Sequence, residues 1–596
     1  MLHIEYGKSR ANILRHMTEI SRGHRYIAAA FVALSLIAGA WLRLSGLERR
    51  SISHPEMYVP GIPLQEGLSE PAPRMTVSRI LSGTFSSDTH PPGYYLLMLP
   101  WTRAVGTSLR AIRLPSALLG VASVALLFWF GSLAGWPLAG GVAAVLLAVS
   151  GYHVFWSQVA RMFALACFLG LASSVTLLLI VRGNRYRSLL IAVYMALILT
   201  GVAVHVFFWT LFAVHLIWAF GNAWGKGSLP NFCRAQLLTL ILGSPLIATA
   251  AYQSGNTVAD LSGNALVYLA EFLSFAFALP TSNSGFFTTA VPLTGTALFW
   301  VLRAAVLAIA VFLLVNATRN LWKVPGKSGI LLEPTCGNAL WKAGWLAAAV
   351  LATAEIAGFL YMSRQLPPAQ LRDTIKLTEL LSALPFTLMV AALLLDWKWP
   401  RLRPRGRWIR LVEGKQALLV LLGLGPFALL ALAAQFRPIL NQRGMLFATP
   451  YLLLLLAIGL LRFRPVWIGA LAPVLALLFV ASSVSYRSMM VDPADYTRFG
   501  TTLQAEIRPT DLVFVRKAWY ATPILYYLQP GKYRLVGKDY AGSCAENPGA
   551  RIWVVLLYDD APAKDVEAVL TSYRPIRTVT APHAKAILYE PSGAAS

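Results

Sequence analysis

The chain has 596 residues, of which 57% are hydrophobic and 13% charged, and its 51 basic and 26 acidic side chains give a net charge of +25. Soluble domains carry roughly 25% charged residues, so the composition excludes a soluble globular enzyme and describes a polytopic membrane protein. The basic excess falls in short gaps between apolar runs, the positive-inside pattern. Its partner is therefore the bilayer with its anionic headgroups, and nucleic acid is excluded.

A basic tail (residues 1–25) comes first and is assigned to the cytoplasm. The apolar segment Tyr26 to Leu42 is short and has no small-residue cleavage site, which makes it a retained helix rather than a signal peptide. Spanning helices need about 20 apolar residues. Segments of that kind are centred near 34, 120, 145, 170, 197, 214, 243, 306, 351, 387, 425, 454 and 474. They predict about thirteen transmembrane helices over residues 26–484. Counted from the inside, the basic gaps at Arg182, Arg185 and Arg187, at Lys323 and Lys327, at Arg401 to Lys415, and at Arg462 and Arg464 all share the cytoplasmic side.

The other side then receives three longer pieces: a large first loop (44–106), a second loop (253–294) with an interfacial helix around Leu266 to Leu279, and a tail (485–596). In the tail, strand patterns at Asp511 to Arg516, Arg551 to Tyr558 and Ala584 to Tyr589 alternate with helical patterns at Ala494 to Ile507, Ala521 to Leu528 and Ala563 to Ser572. They predict a small α/β domain, accessory in role because it has no phosphate loop or nucleophile motif. The four cysteines, Cys167, Cys233, Cys336 and Cys544, show neither a disulfide framework nor zinc spacing.

Ionisable groups cluster where the first loop meets the membrane, a costly place for them in the absence of a role. Glu56, in Ser51-Ile-Ser-His-Pro-Glu-Met-Tyr58, and Asp88, before His90-Pro91-Pro92, are carboxylates able to take a proton from a hydroxyl within hydrogen-bond reach. The plainer roles are a solvated loop acid for Glu56 and a helix N-cap for Asp88. Arg113, Arg161 and Arg443 lie at external ends of apolar runs. A guanidinium fork there fits phosphate; otherwise it snorkels to the headgroups. His205 falls inside an apolar run that reads as helix, and Tyr94 follows the Pro-Pro pair; both are candidates for contact with a substrate. His54, Glu56, Asp88 and His90 match no metal-ligand signature, which leaves a divalent metal open and names no cofactor.

Asp88-Thr-His-Pro-Pro-Gly-Tyr-Tyr-Leu-Leu97, Arg113-Leu-Pro-Ser-Ala-Leu-Leu-Gly120, Ser157-Gln-Val-Ala-Arg-Met-Phe-Ala-Leu165, His205, and Arg443 with Pro450 follow one another in an order that resembles the GT-C membrane glycosyltransferases. Within that superfamily the resemblance is to the protein O-mannosyltransferases and lipid A aminoarabinose transferases. The family's usual Asp-Glu pair in the first loop is represented here by Pro55-Glu56, so its first acid is missing.

The resemblance implies a bacterial inner-membrane enzyme with its active site and C-terminus facing the periplasm. Its donor is a polyprenyl-phosphate-linked sugar and its acceptor a hydroxyl of a lipid, glycan or protein, glycosylated with inversion. Glu56 or Asp88 is the implied base, and His90, Arg113, Arg161 and Arg443 bind the donor phosphate. A polyprenyl-lipid flippase and a catalytically altered envelope-assembly protein are the competing expectations. A flippase would share the arginines but needs no general base, and duplicated halves expected of a transporter are not evident.

Overall fold

The computed structural model describes residues 30, 32–62, 76–86, 90–183, 185–223, 230–253, 414–434, 443–461, 496–515 and most of 524–592, together with single helical residues at 313, 314, 317 and 479. The membrane part contains α1 (Val32–Leu44), α2 (Val77–Ser86), α3 (Gly93–Val105), α4 (Leu109–Ala134), α5 (Pro137–Val149), α6 (Gly151–Ser157) and α7 (Phe163–Val181). It continues with α8 (Arg187–Val204), α9 (Phe208–Ala223), α10 (Pro230–Gln253), α11 (Gly414–Ala433) and α12 (Thr449–Leu460). Short 3₁₀ turns occupy His54–Tyr58 and Arg443–Ala448. Among the described residues five helices are long and apolar enough to span, six with the bent pair α5–α6. The predicted spans near 351 and 387, most of those near 306 and 474, and the loop at 253–294 with its interfacial helix lie outside the described residues.

The helices pack through small residues. A Cβ on Gly131 of α4 would come within 2.7 Å of Gly140 Cα on α5, and one on Gly120 within 2.3 Å of Ser157 Oγ on α6. Such contacts let membrane helices approach closely where no hydrophobic effect drives them together. Helix α12 is buried on every side, whereas Leu34, Ile37 and Trp41 of α1 face outward, as side chains bordering hydrocarbon do.

Two predicted helices are broken, and both breaks serve the site. The run near 145 does not continue through Gly151: α5 and α6 meet at 62°. Ser150 leaves helical geometry there (φ −62, ψ 112), and its hydroxyl accepts a hydrogen bond from His153 N at 3.4 Å to cap α6. Residues 158–162 then form a turn before α7. His205 is likewise not inside a helix, a correction to the expectation. It caps the C-terminus of α8 with extended backbone (φ −148, ψ 128), and α9 starts at Phe208.

The sidedness of the gaps has a structural counterpart. Arg182, after α7, and Lys415, at the start of α11, both donate to the Leu133 carbonyl at the end of α4, and Trp218 Nε1, near the end of α9, donates to Gly414 O at 2.8 Å. Basic groups at a helix C-terminus also face the negative end of its dipole. The gaps near 135, 185, 220 and 414 therefore share one end of the bundle. Residues 51–58, 160 and 161, 107, and the tail meet at the other.

The tail is an α/β unit, as predicted, with more elements than its sequence pattern announced. It runs α13 (Tyr496–Glu506), β1 (Leu512–Val515), β2 (Arg534–Val536), α14 (Tyr540–Glu546), β3 (Ile552–Leu557), α15 (Lys564–Leu570), β4 (Tyr573–Ala581) and β5 (Ala584–Pro591). The sheet order is β2-β1-β3-β5-β4, parallel from β2 to β3 and antiparallel from β3 to β4. β2, α14 and β4 were not predicted: β2 is only three residues long, and β4 is largely exposed and carries no alternating apolar pattern. Buried Asp511 is held by Arg551 (2.6 and 2.9 Å) and by the indole of Trp553 (3.0 Å), which ties β1 to β3 beneath the sheet.

Candidate functional site

Glu56 lies in the 3₁₀ turn that follows Ser53, with Pro55 fixing the backbone just before it. Its side chain is fully buried and saturated. Oε1 accepts from Arg113 Nε (2.8 Å) and Ala160 N (2.9 Å). Oε2 accepts from Arg113 Nη2 (2.8 Å), Arg50 Nη2 (3.2 Å), Ser53 N (3.0 Å) and Ser53 Oγ (2.8 Å). Burial alone would push this carboxyl up, but the Arg113 guanidinium, then Arg50 and the Ala160 N–H, outweigh it and hold it well below the usual carboxylate range. A carboxylate so placed is a poor proton acceptor at neutral pH. Where a base was expected, these contacts make Glu56 an anchor of the first loop.

Arg113, expected to bind phosphate, is held as closely. The side chain is 1% exposed. Its Nε and one Nη2 hydrogen go to Glu56, and the others go to the carbonyls of Leu47 (2.7 Å), Arg50 (2.8 Å) and Ser51 (3.0 Å). A guanidinium has five N–H donors, and here all five end inside the protein.

Next to this knot stand two further arginines, two histidines and a tyrosine. Arg161 is 6% exposed and lies in the turn between α6 and α7. Its Nη1 donates to Pro55 O (2.9 Å), one residue before Glu56, and to Tyr95 OH (3.4 Å). His90, half-buried at the start of the Pro-Pro turn, lies within electrostatic reach of Arg161, His205 and Arg443. Burial first, and then those neighbours, hold its imidazole well below its usual value. Phe207 N donates to His205 Nδ1 at 3.1 Å, which places the ring proton on Nε2 in the neutral tautomer. Arg443 opens the second 3₁₀ turn, and a Cβ on its neighbour Gly444 would lie 3.0 Å from His205 Cε1. Tyr94, 3% exposed, lies close to Arg161 and Glu56, and burial keeps its hydroxyl protonated.

Thus Arg161, His90, His205, Arg443 and Tyr94 come together, and Glu56 and Arg113 form the wall beside them. Asp88 lies outside the described residues. Among the described residues no group of three or more His, Cys, Asp or Glu side chains could hold a metal ion.

Sequence reasoning missed Arg50, Tyr95 and a third buried guanidinium, Arg43. Arg43 donates to Gly39 O (3.1 Å), Ala148 O (2.8 Å) and Leu147 O (2.8 Å), and its Nη2 lies 2.9 Å from His153 Nδ1. It therefore caps the last turn of α5 at the bend. Its signal was a lone cation at the end of the first apolar run. Gln158 completes the joint by donating from Nε2 to Leu42 O, Arg43 O and Ser45 O at 2.9–3.0 Å.

The described part is thus a multi-pass helical membrane protein with an imidazole- and guanidinium-lined site at one end of the bundle. No sequence-family profile and no curated protein matches the chain. Its shape is similar to that of ArnT from Cupriavidus metallidurans in the apo state, at 11% identity over 94% of this chain and 97% of that one, with a TM-score of 0.42. The same enzyme bound to undecaprenyl phosphate gives 0.40 over the same coverage. The archaeal oligosaccharyltransferase AglB from Archaeoglobus fulgidus gives 0.37, at 12% identity over 89% of this chain and 69% of that one. All are GT-C superfamily glycosyltransferases. With TM-scores below 0.5, these likenesses leave the functional argument to the chain's own residues.

Proposed function

We propose that this protein is a glycosyltransferase that moves a sugar from a polyprenyl-phosphate donor to an acceptor hydroxyl. The observation that carries the reading is the convergence of Arg161, Arg443, His90 and His205 at one end of a membrane bundle. Two guanidinium groups with two imidazoles beside them suit a phosphate held at the bilayer surface while its polyprenyl chain runs between helices. In this reading the site and the tail domain face the periplasmic side of a bacterial inner membrane. That assignment is supported by the basic gaps at the opposite end.

Asp88 takes the base role that the saturated Glu56 leaves vacant. It accepts the acceptor's O–H proton, and the oxygen attacks the anomeric carbon on the face opposite the phosphate. The bond from that carbon to the phosphate oxygen breaks, with inversion. The lipid phosphate leaves with one more negative charge, stabilised by Arg161, Arg443 and the Nε2–H of His205. Glu56 and Arg113 hold the loop that carries Pro55, and so orient Arg161.

Two measurements on the purified protein test this. Arg161→Ala should weaken binding of undecaprenyl phosphate by roughly 10- to 100-fold, the worth of a charge-assisted hydrogen bond. Asp88→Asn should slow transfer from a lipid-linked sugar by about 10²- to 10⁴-fold while binding stays intact. Full transfer by Asp88→Asn would overturn the base assignment. Binding without transfer to any acceptor, in wild type and variant alike, would favour a flippase.

A further inference from the structure

The tail domain reaches into the mouth of the site through two adjacent tyrosines. Tyr526 OH donates to Thr107 O at 2.9 Å, at the turn between α3 and α4. Tyr527 OH accepts from Ile52 N and from Thr497 Oγ1, each at 3.1 Å. Thr497, on α13, also meets Ser51: its N donates to Ser51 Oγ at 3.2 Å, and the two hydroxyls lie 3.2 Å apart. Tyr527 packs against both the membrane core and the core of the tail domain. A Cβ on Gly500 would approach Tyr527 Cβ to 2.6 Å, so the glycine lets α13 press this tyrosine against the loop.

The residues gripped here are the ones that set the site. Ser51 O is a terminus of Arg113, and four positions further on Pro55 O is the acceptor of Arg161 Nη1. We infer that Tyr527 is a positioning residue for the phosphate site: its hydroxyl fixes the 51–55 stretch of the first loop, and that stretch aims Arg161. The inference rests on the reading of Arg161 as a phosphate ligand. It gives the tail domain a part in binding the lipid phosphate, through a contact that touches no substrate.

The probe is undecaprenyl phosphate titrated onto the full-length protein in detergent. Tyr527→Phe removes one hydroxyl and should weaken binding roughly 3- to 10-fold, the range for one lost hydrogen bond. Thr497→Val, which removes the neighbouring hydroxyl, should shift it in the same direction. In an Arg161→Ala background Tyr527→Phe should have no further effect, because the two act through one contact. Tyr540→Phe loses a buried tail hydroxyl that donates to Val515 O at 2.8 Å, away from the loop, and should bind as wild type does. Unchanged binding by Tyr527→Phe, additivity with Arg161→Ala, or an equal loss in Tyr540→Phe would each overturn the inference. Failure of the wild type to bind the lipid phosphate would instead overturn the reading of the site, and the inference with it.

Discussion

Arg113 donates to both carboxylate oxygens of Glu56, at 2.8 Å each, across 57 residues of sequence. The pair fastens the first loop to α4 and is buried to 1% and 0% exposure. Removing one member of a buried pair leaves an uncompensated charge, at a cost of about 3–5 kcal/mol. Glu56→Gln should therefore lower thermal stability in detergent by many degrees, and Arg113→Met should do the same. A Glu56→Gln protein with wild-type melting and abolished transfer would return the base role to Glu56.

The pH dependence of stability separates two groups. Glu56 has a folded value far below its ordinary 4.5. Its contribution is therefore fully present above that pH and is lost only as pH falls below it. His90 is also depressed, but from an ordinary value of 6.5. Above pH 6.5 it is neutral in both states. Below, the unfolded chain takes up a proton that the folded chain resists, so stability falls by up to about 1.4 kcal/mol per pH unit. His90→Gln should thus make the melting-temperature profile shallower between pH 6.5 and 5, and Glu56 should leave that window untouched. Parallel profiles for His90→Gln and wild type would count against this account.

Gly93 stands in the turn that begins α3, where a Cβ would meet Ala203 O at 2.6 Å. That oxygen belongs to the end of α8, two residues before His205. Gly93→Ala must push α3 from α8, at about 1–3 kcal/mol for overpacking. It should also separate His90 from His205. The expected result is a lower melting temperature together with weaker lipid-phosphate binding; unchanged values of both would show that the turn yields freely.

Arg43 terminates the last turn of α5 with hydrogen bonds to Leu147 O and Ala148 O, both 2.8 Å. Arg43→Met keeps the length of the side chain but leaves buried carbonyls unpaired, at about 1–3 kcal/mol each. Its melting temperature should fall well below that of Arg43→Lys, which still supplies donors, though not a planar fork. Equal melting of the two variants would show that the carbonyls find other partners.

The sequence by itself determined what periodicity and composition can carry: a polytopic helical membrane part, helices at nearly all the predicted centres that are described, and a small α/β tail. Apolar length and charge sidedness are local properties, legible without contacts. It also named most of the groups that meet at the site, because an ionisable side chain at a membrane boundary is conspicuous. Their roles depended on partners far along the chain. The sequence marks Glu56 and Arg113 as a candidate base and phosphate ligand but cannot show that Ala160, Ser53 and the carbonyls of Leu47, Arg50 and Ser51 meet them. Arg161 lies in the turn between α6 and α7 and His205 at the break between α8 and α9, and both sit in apolar stretches where the sequence pattern marks no interruption. The grip of Tyr527 on Ile52 spans 475 positions, and no local pattern encodes which loop a distant hydroxyl will touch. Only the tertiary structure decides which donors a buried carboxylate meets, and for an ionisable group that environment sets the chemistry.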